Sequence, residues 1–361
     1  MSQNLTRRAF VGSGLALAAS ARAYAQTAPL KVGFVYVSPV GDAGWSYQHD
    51  LGRREMEHAL GARVQSTVVE SVPEGADSER VMRDLARQGH GLVFATSFGY
   101  LEPALRVAAD FPDVKFEHAG GFKLAPNLGT YDARWYEGRY LAGLIAGATT
   151  HTGVAGYVAG FPVPEVVQGI DAFTLGMRAA NPKATVRLVW LNSWFDPARE
   201  AEAATTLVSQ GADILVNHSA SPAVAQAAER QAKRGVRFLG YQSDMRVYAP
   251  DVQLAAVTQH FGGFYTATAR RVLDGTWASQ AFVGGLADDM VAVSAFSPRL
   301  SPDVRAEVEA KRKAIVDGSF KVFSGPLADN HGRVRLARGA LDDAAVGRLD
   351  WLVAGVVGSM P

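Results

Sequence analysis

The chain has 361 residues, of which 48% are hydrophobic and none is cysteine. Its 36 basic and 35 acidic residues leave a formal charge of +1, with no surplus to recruit nucleic acid or an anionic membrane. Without cysteine there is no disulfide framework and no lipid attachment at a cleavage site, and the length predicts two domains.

Residues 1–25 read as a twin-arginine signal peptide. Arg7 and Arg8 are adjacent, Val11 to Ala21 form a weakly apolar stretch, and Ala23-Tyr24-Ala25 is an A-x-A site. The stretch is far short of the ~20 residues that a spanning helix needs, so no membrane anchor is expected. Removing Arg7, Arg8 and Arg22 leaves 33 basic against 35 acidic residues in a mature chain of about 336. A freely diffusing periplasmic protein is the expectation.

Beyond the leader, strands are predicted at 31–37, 63–69, 91–96 and 115–119, with helical patterns at 46–60, 77–88 and 101–110 between them. Pro112 stops the last of these. A helical run over 135–149 carries Ala142, Gly143, Ala146 and Gly147, small enough for close packing. The alternation then restarts, with strands at 153–159, 185–191, 212–217 and 236–240 and helices near 164–180, 197–210 and 222–234. A strand from Gln253 to Thr258, a helix at 262–274 and an apolar strand through Met290 to Phe296 follow. Repeated βα units mean parallel sheets with helices on both faces. The same grammar used twice predicts two similar lobes, and the late return predicts several crossovers. We expect residues 29–149 plus about 262–297 in one lobe and 152–258 plus about 300–361 in the other. Such lobes form a hinged clamp with ligand between them.

Catalytic signatures are missing: there is no Gly-rich loop ending in Lys-Ser/Thr, no G-x-S-x-G elbow and no H-E-x-x-H. The histidine spacing supports no zinc site, and no cofactor or metal is expected. What recurs is an aromatic with polar company just past a strand. Gly41-Asp42-Ala43-Gly44-Trp45-Ser46-Tyr47-Gln48-His49-Asp50 follows the first strand, where open α/β sheets bind ligands. Phe98 follows the third strand; Asn192-Ser193-Trp194-Phe195-Asp196-Pro197 follows the second strand of the second half; Asp244 lies just past Gly240. The candidate ligand residues are therefore Trp45, Trp194, Asp244, Asp42, Asn192, Phe98, Gly44 and His49. Asp196 reads first as the cap of a helix opened by Pro197. Two aromatics on opposite lobes suit a flat ring, and stacking of a base on an aromatic contributes roughly 1–3 kcal/mol.

At these residues the sequence resembles the BMP (basic membrane protein) family, the substrate-binding components of ABC importers. The matches include Lys31 to Tyr36, the Gly41–Asp50 loop, Glu137-Gly138 with Leu141-Ala142-Gly143, Asn192 to Pro197, and Ser243-Asp244 with Tyr248-Ala249-Pro250. The tail, Val322-Phe323-Ser324-Gly325-Pro326 and Trp351 through Gly358, resembles a branch linked to purine bases. The resemblance implies a type I periplasmic-binding fold, two doubly wound lobes joined by a multi-crossover hinge. It implies a receptor, not an enzyme, that carries a purine base or nucleoside to an ABC permease driven by a separate ATPase. It also implies a purine stacked between Trp45 and Trp194 and a ribose contact at Asp244. A family lysine that serves the ribose has no counterpart, since Gln259-His260-Phe261 stands there, and this favours a free base. Asp42, Asn192 and Asp244 are expected to supply the directional hydrogen bonds, and the protein is expected to act as a monomer. The alternatives are an exported purine-processing enzyme such as a nucleoside hydrolase, a receptor for another planar amide, and a receptor that feeds a sensor protein. The hydrolase would need a calcium-binding aspartate cluster, whereas Asp42 has only Asp50 for company in its loop.

Overall fold

The computed structural model describes residues 28–361, so the expected signal at 1–25 lies outside the described residues. The first half runs β1 (Leu30–Val35), α1 (Trp45–Leu60), β2 (Val64–Val69), α2 (Ala76–Arg87), β3 (Leu92–Ala95), α3 (Leu101–Asp110), β4 (Lys115–Ala119) and β5 (Leu128–Ala133). The second runs α4 (Trp135–Thr149), β6 (Val154–Ala159), α5 (Pro164–Ala180), β7 (Thr185–Trp190), α6 (Pro197–Ser209), β8 (Ile214–His218), α7 (Ala223–Arg230), β9 (Arg237–Gln242) and β10 (Gln253–Gln259). Then come α8 (Gly262–Leu273), β11 (Ala281–Gly284), β12 (Val291–Ser294) and α9 (Pro302–Val316). The tail adds a small hairpin and one short strand, Val356–Val357, which pairs with β7.

Two open sheets result. The first has the order β11-β5-β4-β3-β1-β2, and the second runs β12-β10-β9-β8-β6-β7 before the tail strand. Each contains the same doubly wound core, with its first strand flanked by the second and third. All core pairings are parallel, and only β12 runs antiparallel, beside β10. The expected α/β architecture with two similar lobes is the one observed. Helices cover both faces because strands such as β3 are buried throughout and read as unbroken apolar runs.

The chain passes between the sheets three times: between β5 and α4, between β10 and α8, and between β11 and β12. Two segments therefore lie elsewhere than expected. The helix over 135–149 packs on α5, α9, β10 and β12, in the second lobe. There the α4 backbone at Gly143 and Gly147 lies against the α5 backbone at Phe173 and Met177, with no room for a methyl group. Strand β12, placed with the first lobe in the expectation, is hydrogen-bonded to β10 in the second sheet. Besides the tail's hairpin and short strand, two strands of the first sheet were not foreseen. β5 reads LGTYDA, too mixed in polarity for a strand signal, and β11 is only AFVG. Asp196 caps α6 as expected, accepting from the Arg199 backbone N–H at 3.0 Å with Pro197 opening the helix.

Candidate ligand-binding cleft

In both sheets the strand order reverses beside the first core strand, and the carboxyl ends there face each other across a cleft. A cavity lies between them, with about 480 Å³ of space when its open mouth is included. The first half contributes Val37 and Trp45 after β1, Ser97 and Phe98 after β3, and Ala119 at the end of β4. The second contributes Glu165 from α5, Trp194 after β7, His218, Ser219 and Ala220 at the end of β8, and Gln242 ending β9.

Trp45 opens α1, and its indole N–H donates to the Thr96 carbonyl at 2.6 Å, within its own lobe. His49, one turn on, is fully buried and does not line the cavity. It stacks on Phe261 at 4.0 Å, lies edge-on to Trp45 at 4.4 Å and bonds the Tyr265 hydroxyl. Burial drives its pKa well below the ordinary histidine value, so a neutral imidazole buttresses the indole. Trp194 lies over Gly160, where a Cβ would come within 2.7 Å of the indole, and meets Phe161 at 5.0 Å. Its N–H reaches across the cleft to Glu74 at 3.2 Å. Glu74 in turn accepts from the Ser97 hydroxyl at 2.7 Å and the Gly99 N–H at 2.9 Å.

The halves also meet at Gly44, whose N–H donates to the Ser243 hydroxyl at 2.7 Å. Its φ of 96° favours glycine, and a methyl group there would overlap the Ala220 carbonyl oxygen. The Tyr248 hydroxyl bonds the Asp42 carboxylate, again across the cleft. The structure is thus the closed form of the clamp.

Of the eight candidates, Trp45, Trp194 and Phe98 line the cavity, Gly44 seals its edge, and His49 stands behind Trp45. Asp42 and Asp244 do not line it. They flank a second interlobe crevice with Tyr47, Glu55, Gln259 and His260. Burial opposes ionisation of Asp244, but hydrogen bonds from Arg246 and Gln253 hold its carboxyl below the usual range. Asn192 is exposed and outside the cavity; its φ of 51° shows a turn role in the tight exit from β7. The residues that sequence reasoning missed are Glu165, His218 and Gln242. No spacing ties them to one another, and each becomes visible only once the two sheets are set face to face. Glu165 lies 3.3 Å from the His218 imidazole. Burial raises the Glu165 carboxyl, which the Arg139 guanidinium partly offsets, while burial lowers His218.

A family profile described as ABC transporter substrate-binding protein PnrA-like matches residues 30–323, most of the chain. The chain belongs to this Bmp family. Among curated relatives, a purine-binding protein of Brucella abortus is 46% identical over 333 residues, 92% of this chain and 94% of its own length. A provisionally named ABC transporter glucose-binding protein of Haloferax volcanii is 35% identical over 91% of this chain and 80% of its own. Solved solute-binding proteins of ABC transporter systems share the fold. One from Conexibacter woesei superposes with a TM-score of 0.66 at 23% identity, covering 81% of this chain and 98% of its own. One from Aeropyrum pernix gives 0.69 at 20% identity, covering 81% and 93%. This Bmp-family protein is a substrate-binding protein of an ABC transporter, a class that takes a small-molecule ligand and works with a permease. Among its described residues no helix is long and apolar enough to cross a membrane.

Proposed function

We propose that the protein captures a purine, a free base such as adenine before a nucleoside, stacked between Trp45 and Trp194, and delivers it to its permease. The carrying observation is that these two indoles, from opposite lobes, line one cavity. The 46% identity to a purine-binding protein supports the same reading. A base is favoured because Asp244, the residue matched to a ribose contact, is engaged by Arg246 and Gln253 outside the cavity. A sugar ligand, suggested by the name of the Haloferax relative, would need many polar partners, and aromatic and small side chains make up most of the lining. The work is done in the periplasm after twin-arginine export, by a monomer with no bond chemistry. Closure excludes water and strengthens each polar contact.

Calorimetry with adenine, hypoxanthine, adenosine and glucose tests this. Trp45→Ala and Trp194→Ala should each weaken adenine binding about 5- to 150-fold, as expected for the loss of ~1–3 kcal/mol of stacking, with the fold intact by circular dichroism. Unchanged affinity in both variants, or binding of glucose without any purine, would refute the proposal. Release of free base from adenosine would make the protein an enzyme instead.

A further inference from the structure

The cavity's polar groups divide into those already engaged and those that wait for a partner. The Ser97 hydroxyl donates to Glu74 and the Ser219 hydroxyl to Glu200. His218 turns one ring nitrogen to Glu165, and a Cβ on Gly169 of α5 would lie 3.4 Å from the other. That second nitrogen is itself buried with no protein partner, on the side facing α5, and two further groups are left among the described residues that line the cavity. Gln242 is 4% exposed, and its side-chain oxygen is buried with no protein partner. It ends β9 at a φ of 70°, a conformation that a non-glycine residue keeps only when its surroundings enforce it. Glu165 meets the His218 imidazole through one carboxylate oxygen, and Asp132 and Arg139 lie near enough to act on it electrostatically. A Cβ on Gly120 of the opposite lobe would lie 3.9 Å from the other Glu165 oxygen.

We propose that Gln242 and Glu165 read the polar edge of the bound ring and select a 6-aminopurine edge over a 6-oxo one. This rests on the purine reading above. A side-chain amide presents a donor and an acceptor in one plane and pairs two-way with the amino group and adjacent ring nitrogen of adenine. When ionised, above the range of about 7 to which burial raises it, the Glu165 carboxylate only accepts, so it matches an amino N–H and repels a carbonyl oxygen; the neutral form can donate to a carbonyl. Leaving either protein group unpaired in a closed cleft is costly, and this asymmetry lets such sites reject near-isosteres by large factors.

The test is titration calorimetry of adenine, hypoxanthine and unsubstituted purine against the full mature chain, Gln242→Glu and Glu165→Gln, with melting temperatures as the folding check. Both substitutions keep the side-chain shape. The wild-type protein should prefer adenine over hypoxanthine at least tenfold. Glu165→Gln should narrow that ratio at least fivefold, because its amide can donate to a carbonyl. Gln242→Glu should weaken adenine and unsubstituted purine at least tenfold each, because both lose the hydrogen bond to the ring nitrogen, and hypoxanthine less than threefold, because its N1–H can donate to the new carboxylate. A purely structural role would lower all three ligands together. If either variant melts early, Gln242→Asn and Glu165→Asp, which withdraw each group by one methylene, should give the same selectivity losses. Purine binding with ratios unchanged within twofold, or a wild-type preference for hypoxanthine, would overturn this assignment alone. A wild-type protein that binds no purine would overturn the proposed function and this assignment with it.

Discussion

Replacing Gly44 with alanine separates closure of the clamp from stability of the fold. In the closed structure a Cβ at Gly44 would overlap the Ala220 carbonyl oxygen and come within 3.3 Å of its carbon. Both belong to backbone, so the opposing lobe cannot yield by rotating a side chain. With the lobes apart that obstacle vanishes. Overpacking of this kind costs typically 1–3 kcal/mol, and charged wholly to the closed state it weakens ligand about 5- to 150-fold. The substitution also strains the loop, because φ 96° with ψ −165° is a region used essentially by glycine. Gly41→Ala provides the control, since Gly41 has a φ of 56° in the same loop with open space around it. It should lower the melting temperature slightly and leave affinity within about threefold. Adenine titration would be paired with small-angle scattering, which reads the ligand-induced contraction. If Gly44→Ala binds and contracts like the wild type, the two lobes do not meet at this glycine in solution and the closure argument fails.

Two further predictions concern groups away from the cavity. Glu117 is 2% exposed and accepts from the Trp277 indole at 2.8 Å; burial pushes its carboxyl up from 4.5 to about 7. The native state therefore binds more protons than the unfolded chain across that window. Stability falls as pH rises through it, by up to about 3 kcal/mol from this group. Glu200, also raised to about 7, acts with the same sign. Melting curves from pH 5 to 8 should show the decline, and Glu117→Gln should make it shallower; an unchanged slope would count against the buried carboxyl. Asn192→Gly should bind adenine within about twofold of wild type and melt no lower, because the position is exposed at positive φ. A tenfold loss of affinity would return Asn192 to the site.

Much of the architecture was readable because βα repeats write their period plainly. The cavity-lining places of Trp45, Phe98 and Trp194 were readable as well, since the cleft of open sheets lies just past strand ends. The same rule misled for Asp42, Asp244 and Asn192. All follow strands, yet a loop has two sides, and only packing decides which one faces the cavity. Glu165 and Gln242 escaped for a different reason. One opens a helix and one closes a strand, 77 positions apart, and neither carries a local signature. The lobe membership of α4 and β12 depended on strand pairing across long loops, which periodicity does not encode. His49 was read as a ligand candidate because it shares a loop with Trp45, but the helical turn between them points it inward.

The two tryptophans are anchored unequally, and this has a kinetic consequence. Trp45 is tied to Thr96 of its own lobe and braced by His49, so its face is complete before anything arrives. The Trp194 N–H finds its acceptor, Glu74, only on the other lobe. On the proposed reading, an incoming ring lands on a finished wall and is later covered by a lid that latches behind it. The first surface governs how fast ligand is captured. The latch governs how long it stays, and a permease that prises Glu74 from Trp194 would shorten that stay without touching the ligand.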